Sequence, residues 1–165
     1  MYPAFVIKNY VPDCYKVLIL HQLYGKIFCK FFKKDQATLL TTGSVIWCSI
    51  EKTSNLYQFL QLDIESQIMV KDIFLVHSIM KFCLEKVPKE IAVPELFDFL
   101  LYVQSHKDQF DEKACCVVIL RMFLMFDLIG SDLSMHKAAS LDPTGPIDYD
   151  IAVLKSYVAY GWHNF

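Results

Sequence analysis

The chain has 165 residues, 55% of them apolar and 15% aromatic, with a net charge of −2. So apolar and so weakly charged a composition excludes intrinsic disorder, and five glycines with six prolines exclude collagen-like and low-complexity architectures. The glycines stand singly, at Gly25, Gly43, Gly130, Gly145 and Gly161, so no glycine-rich loop can wrap backbone amides around a phosphate; Walker-A and dinucleotide-fingerprint chemistry are excluded.

The charge is unevenly divided. Residues 1–62 carry seven lysines against Asp13, Asp35 and Glu51, while residues 63–165 carry eight lysines and Arg121 against fifteen carboxylates. A basic first part points to a polyanion as partner, against the plainer reading of a domain with irregular surface charge. Six cysteines, Cys14, Cys29, Cys48, Cys83, Cys115 and Cys116, lie mostly in apolar or alternating runs, the pattern of reduced and buried thiols. No secretory pattern opens the sequence. The most apolar stretch, 115–130, is interrupted by Arg121 and Asp127 and is shorter than the roughly 20 residues a membrane span needs. A cytoplasmic protein with no membrane association is expected.

In chain order, Ala4–Tyr10 alternates as a strand. Tyr15–Gln22 places Val17, Ile19 and His21 on one face and Lys16, Leu18 and Leu20 on the other. A turn at Tyr24-Gly25-Lys26 leads into a third run, Ile27–Phe32, and two more follow at Ser44–Ile50 and Leu56–Leu62. Five strands in about 60 residues, punctuated by turn residues, predict an OB-type barrel. From Asp63 the period becomes helical: Ile68, Leu75, Ile79, Phe82 and Cys83 share a stripe ending before Pro88. Pro94 opens a second helix to about Ser105, and Asp111 caps a third that runs to Gly130. Ser131–Pro146 reads as a loop, and a last helix covers Asp148 to about Tyr160. The expected fold class is α+β: a basic N-terminal five-stranded OB-fold barrel over residues 1–63, then an acidic α-helical bundle over 64–165.

No catalytic constellation is legible: HExxH, GxSxG, paired CxxC and EF-hand patterns are all missing. The sequence therefore predicts no enzyme, no catalytic residue, no cofactor and no metal. Cys115-Cys116 would point about 100° apart on a helix and reads as core. Cys14, Cys29, Cys48 and His21 could meet in space, but they lack zinc-ligand spacing. Asp108, Asp111 and Glu112 read as helix capping. What remains is the segment Tyr24 to Lys34, where Lys26, Lys30, Lys33 and Lys34 interleave with Tyr24, Phe28, Phe31 and Phe32. Cations that track phosphates and rings that stack on bases suit single-stranded nucleic acid. Alternation puts adjacent Phe31 and Phe32 on opposite faces, so one of them is a candidate for exposure.

The order of these features resembles the RecO family of bacterial recombination mediators. Ala4-Phe5-Val6-Ile7, with Asp13, Lys16 and Val17-Leu18-Ile19-Leu20, is similar to that family's first two strands, and Tyr24-Gly25-Lys26-Ile27 to its His-Gly-Lys/Arg turn. Lys33-Lys34 falls where the family is basic. Pro94-Glu95-Leu96-Phe97 with Phe99-Leu100-Leu101, and Arg121 to Gly130, resemble two of its helical motifs, and Val153–Tyr160 resembles its last helix. Typical members continue into a Cys-x-x-Cys zinc module, but no cysteine follows Cys116 here, and the basic stretch stops at Asp35. The chain thus looks like a short, divergent member without the zinc module. The resemblance implies binding and annealing of single-stranded DNA and loading of recombinase on DNA coated by single-strand-binding protein. RecR and single-strand-binding protein are the implied partners. Lys26, Lys30, Lys33 and Lys34 would neutralise phosphates and Tyr24 or an exposed Phe would stack a base. The alternative is an OB-fold interaction module that has lost DNA binding and only docks repair partners.

Overall fold

Alternating apolar residues build the first half of the chain. The computed structural model describes residues 1–31, 34–37, 40–66 and 72–164, with positions 34, 37, 65 and 66 described by their backbone alone. Five strands, β1 (Tyr2–Asn9), β2 (Lys16–His21), β3 (Gly25–Lys30), β4 (Val45–Thr53) and β5 (Leu56–Ser66), close into a barrel in the order β1-β2-β3-β5-β4. All neighbours are antiparallel except β3 and β5. That mixed, closed, five-stranded topology is OB-like, as expected. Ala4, Val6, Val17, Ile19, Ile27, Cys29, Ile46, Cys48 and Phe59 fill the interior. Between β3 and β4 lies the short helix α1 (Lys34–Ala37).

The passage from strands to helices lies further along the chain than the change of period suggests. The helical period expected from Asp63 begins later, because β5 continues to Ser66. One register irregularity in the β4–β5 pairing precedes, and another follows, a stretch in which Leu62 and Ile64 pack against the interior while Asp63 is exposed. The helix α2 (Ile73–Glu85) starts only where Asp72 can cap it, its carboxylate accepting the Leu75 amide at 2.8 Å.

The outward residues of β1 and β2 are also apolar. Phe5, Ile7, Leu18 and Leu20 are almost completely buried, since α2 packs on β1 and Phe97 lies against Phe5 with ring centroids 5.0 Å apart. These contacts explain why the first compact unit extends over Met1–Phe97, the second being Asp98–Phe165. The change of hydrophobic period near residue 63 is therefore not the unit boundary.

Helix α3 (Pro94–Ser105) spans that boundary in sequence. In the second unit, α4 (Glu112–Met125) is capped by Asp111, whose carboxylate accepts the Ala114 amide at 2.8 Å. It packs against α5 (Leu133–Ala139) and α6 (Ile151–His163). Helix α5 occupies part of the stretch expected as a loop. Asp132 accepts the Ser134 and Met135 amides, and Met135, Ala138 and Ala139 are buried at helical spacing. Helix α6 is capped by Asp150 and ends at His163, slightly later at both ends than expected. No helix among the described residues is long and apolar enough to cross a membrane.

Candidate nucleic-acid interface

The strand register sorts the lysines of the barrel into two kinds. On β3, Ile27 and Cys29 point inward, so Lys26, Phe28 and Lys30 point outward. Lys26 nevertheless is only 5% exposed. Its Nζ donates to the carbonyls of Cys83 (3.0 Å) and Leu84 (2.7 Å), the last turn of α2. Those carbonyls have no partner within the helix and carry its negative end, which an ammonium satisfies on both counts. Burial pushes the Lys26 pKa down, neighbouring Lys89 adding to the effect while Cys83 opposes it. Lys26, expected to neutralise phosphate, is thus a helix cap and is not available to a ligand.

Tyr24, expected to stack a base, is engaged as well. Its ring lies 5.0 Å from His21 at 25° and 5.4 Å from Tyr57, and it packs against the barrel interior. Phe31 is buried. Phe32 and Lys33 lie outside the described residues, as does the side chain of Lys34. Of the expected set, Lys30 remains exposed on the outer face, beside Phe28, which is 41% exposed.

Around that pair the fold gathers residues that the sequence reading had not connected. Lys16 is directly opposite Lys30, and Leu18 opposite Phe28. Lys8 is opposite Leu18 on the next strand, after the β1 register irregularity. Tyr10 lies beside Phe28 with ring centroids 5.9 Å apart, and Lys8 Nζ sits 5.0 Å from the Tyr10 ring centre. Lys89 arrives from the connection between α2 and α3, its Nζ 5.8 Å from the Phe28 ring centre. The part of the outer face of β1–β2–β3 around the Lys16–Lys30 rung therefore presents Lys8, Lys16, Lys30 and Lys89 around Tyr10 and Phe28. Among the described residues none of these four lysines makes an ion pair.

Lys89 is held there by the backbone. A parallel bridge joins Lys26 to Lys89, and the Glu90 amide donates to the Lys26 carbonyl at 3.0 Å. Glu90 accepts from Lys52 Nζ (3.4 Å) and the Tyr57 hydroxyl (3.5 Å). The segment also covers the start of β3, which pairs with β5 only at Cys29 and Lys30. Counting back from the β2–β3 turn would have found the Lys16–Lys30 rung in the sequence. Nothing local in the sequence brings Lys89 to Phe28.

The thiols and His21 serve the interior. Burial raises the pKa of Cys29 and Cys48 above the usual thiol range, and Cys48 Sγ donates weakly to the Tyr2 carbonyl at 3.7 Å. His21 Nδ1 accepts the Leu23 amide at 3.2 Å, and Nε2 is buried without a hydrogen-bond partner. Burial, with a smaller contribution from the amino terminus, lowers the His21 pKa to about 4. The four residues weighed as zinc ligands form no metal-binding group among the described residues. No protein-family model matches this chain, and no curated protein sequence matches it.

Proposed function

We propose that this chain binds single-stranded DNA on the outer face of β1–β2–β3 and acts, without catalysing a reaction, as a RecO-like mediator of recombinational repair. The observation that carries the reading is the meeting of four lysines with two partly exposed rings on one strand face. In OB-folds the face of strands 2 and 3 is the usual oligonucleotide platform, and cations interleaved with rings suit unpaired strands. Lys8, Lys16, Lys30 and Lys89 track phosphates in this reading, and the family resemblance adds Lys33 and Lys34 as further phosphate contacts. The family resemblance supplies the wider role: annealing complementary strands and helping recombinase replace single-strand-binding protein, with RecR and single-strand-binding protein as partners in the cytoplasm.

Fluorescence anisotropy of labelled oligothymidylate across salt tests this directly. With five or six phosphates neutralised, log affinity should fall against log salt with a slope of about −3.5 to −4. Lys8→Glu combined with Lys30→Glu should abolish binding. Salt-independent binding, or affinity untouched by that double reversal, would sink the reading.

The second reading, a module that only docks repair partners, is favoured by the internal roles of Lys26 and Tyr24. Recovery of RecR or single-strand-binding protein with a chain that ignores oligonucleotides would select it.

A further inference from the structure

Resting on that reading, we infer that Lys16 and Lys30 grip one phosphate jointly, while the Phe28 ring stacks the base of the adjoining nucleotide. The Lys16–Lys30 rung is the starting point. The Phe31 amide donates to the Tyr15 carbonyl at 3.3 Å, so the next rung, Lys16 opposite Lys30, is a non-hydrogen-bonded one, the kind in which side chains approach most closely. Val17 and Cys29 point inward, so both ammonium groups leave the same outer face. Like charges directly opposite destabilise a sheet, and among the described residues no carboxylate pairs with either lysine. An anion seated between them relieves that repulsion and gains from both charges.

Phe28 belongs to the same arrangement. It lies two residues before Lys30 on the same face, about 7 Å along the strand, a spacing comparable to the span from phosphate to base across one sugar. Tyr10 packs beside the ring and Lys89 Nζ lies over it, 5.8 Å from its centre, where it can pair with a phosphate next to the stacked base, and the ring is 41% exposed. A phosphate grip beside a stacking ring selects a flexible strand with unpaired bases, and it places neither a bare polyphosphate nor a stacked duplex equally well.

A double-mutant cycle on the full chain tests the inference, with oligothymidylate and an abasic oligonucleotide of equal length as probes. Lys16→Ala and Lys30→Ala should each weaken oligothymidylate binding about fivefold at 0.1 M salt. The double variant should lose less than the product of the two single losses, because both lysines serve one phosphate. Without ligand, neither variant should lower the urea midpoint, since each relieves a like-charge contact. Phe28→Trp should add emission that oligothymidylate quenches and the abasic strand does not. Independent, multiplicative losses, equal quenching by the two strands, or a stability loss that accounts for the weaker binding would each overturn the shared grip while leaving strand binding intact. A wild-type chain that binds no oligonucleotide would overturn the functional reading itself and this inference with it.

Discussion

Lys26 and Lys30 leave the same face of the same strand, yet one serves a helix and the other faces solvent. The difference is what lies above each: the last carbonyls of α2 stand over Lys26, and nothing among the described residues pairs with Lys30. Arg121 repeats the device in the second unit. Its guanidinium donates to the carbonyls of Ala139, Ser140 and Leu141, at the end of α5. A basic side chain distant in sequence is thus used in both units to close a helix. His21 is the other residue whose environment has a measurable consequence. Its folded pKa of about 4 lies below the ordinary histidine value of 6.5, so the fold favours the neutral ring. The resulting cost is nil above pH 6.5 and grows as pH falls, because only the unfolded chain readily takes up the proton. By pH 4 it should reach about 3 kcal/mol. Urea unfolding of wild type and His21→Phe between pH 4 and 7 checks this: the wild type should lose stability relative to the variant as pH falls, and a difference that stays flat would refute it.

At the scale of elements, the connection between α2 and α3 both finishes the barrel and supplies part of the site. Gly25 makes the close approach possible. It has φ +69°, and a Cβ there would lie 1.9 Å from the Ile91 carbonyl oxygen. Gly25→Ala should therefore cost about 3 kcal/mol, combining left-handed strain with displacement of the covering segment. A urea titration would show the lowered midpoint at unchanged slope; a loss below about 0.5 kcal/mol would mean that the segment moves aside freely. The helices were more legible. Asp72, Asp111, Asp132 and Asp150 cap α2, α4, α5 and α6, and two of these helices were expected with nearly their observed starts. Helix α5 was missed because seven residues carry too little periodicity to outweigh the Pro-Thr-Gly-Pro punctuation that follows.

For the whole molecule, the proposed ligand face belongs entirely to Met1–Phe97. Each unit contains one tryptophan, Trp47 on β4 and Trp162 on α6. A ligand stabilises the structure it binds by an amount set by its concentration relative to Kd, about 2.7 kcal/mol at a hundredfold excess. In urea titrations of Trp162→Phe, where Trp47 reports, saturating oligothymidylate should raise the midpoint. A shift seen only in Trp47→Phe, where Trp162 reports, would assign the ligand to the second unit.

What the sequence determined by itself was local and periodic. Two-residue alternation divided the strand residues into two faces, and lone glycines excluded phosphate-wrapping loops. Asp111 before an apolar run marked the start of α4, and the basic character of residues 1–62 was plain from composition. Tertiary structure decided which lysines are free. Lys26 and Lys30 have equivalent positions in the strand pattern, and only the end of α2, more than fifty residues away, distinguishes them. Lys8, Lys16 and Lys89 reach Phe28 and Lys30 through strand register and a connection that pairs with β3. A charge near an aromatic in sequence signals a binding surface only when no helix end lies close enough to claim it, because orphan carbonyls compete for cations as a phosphate does.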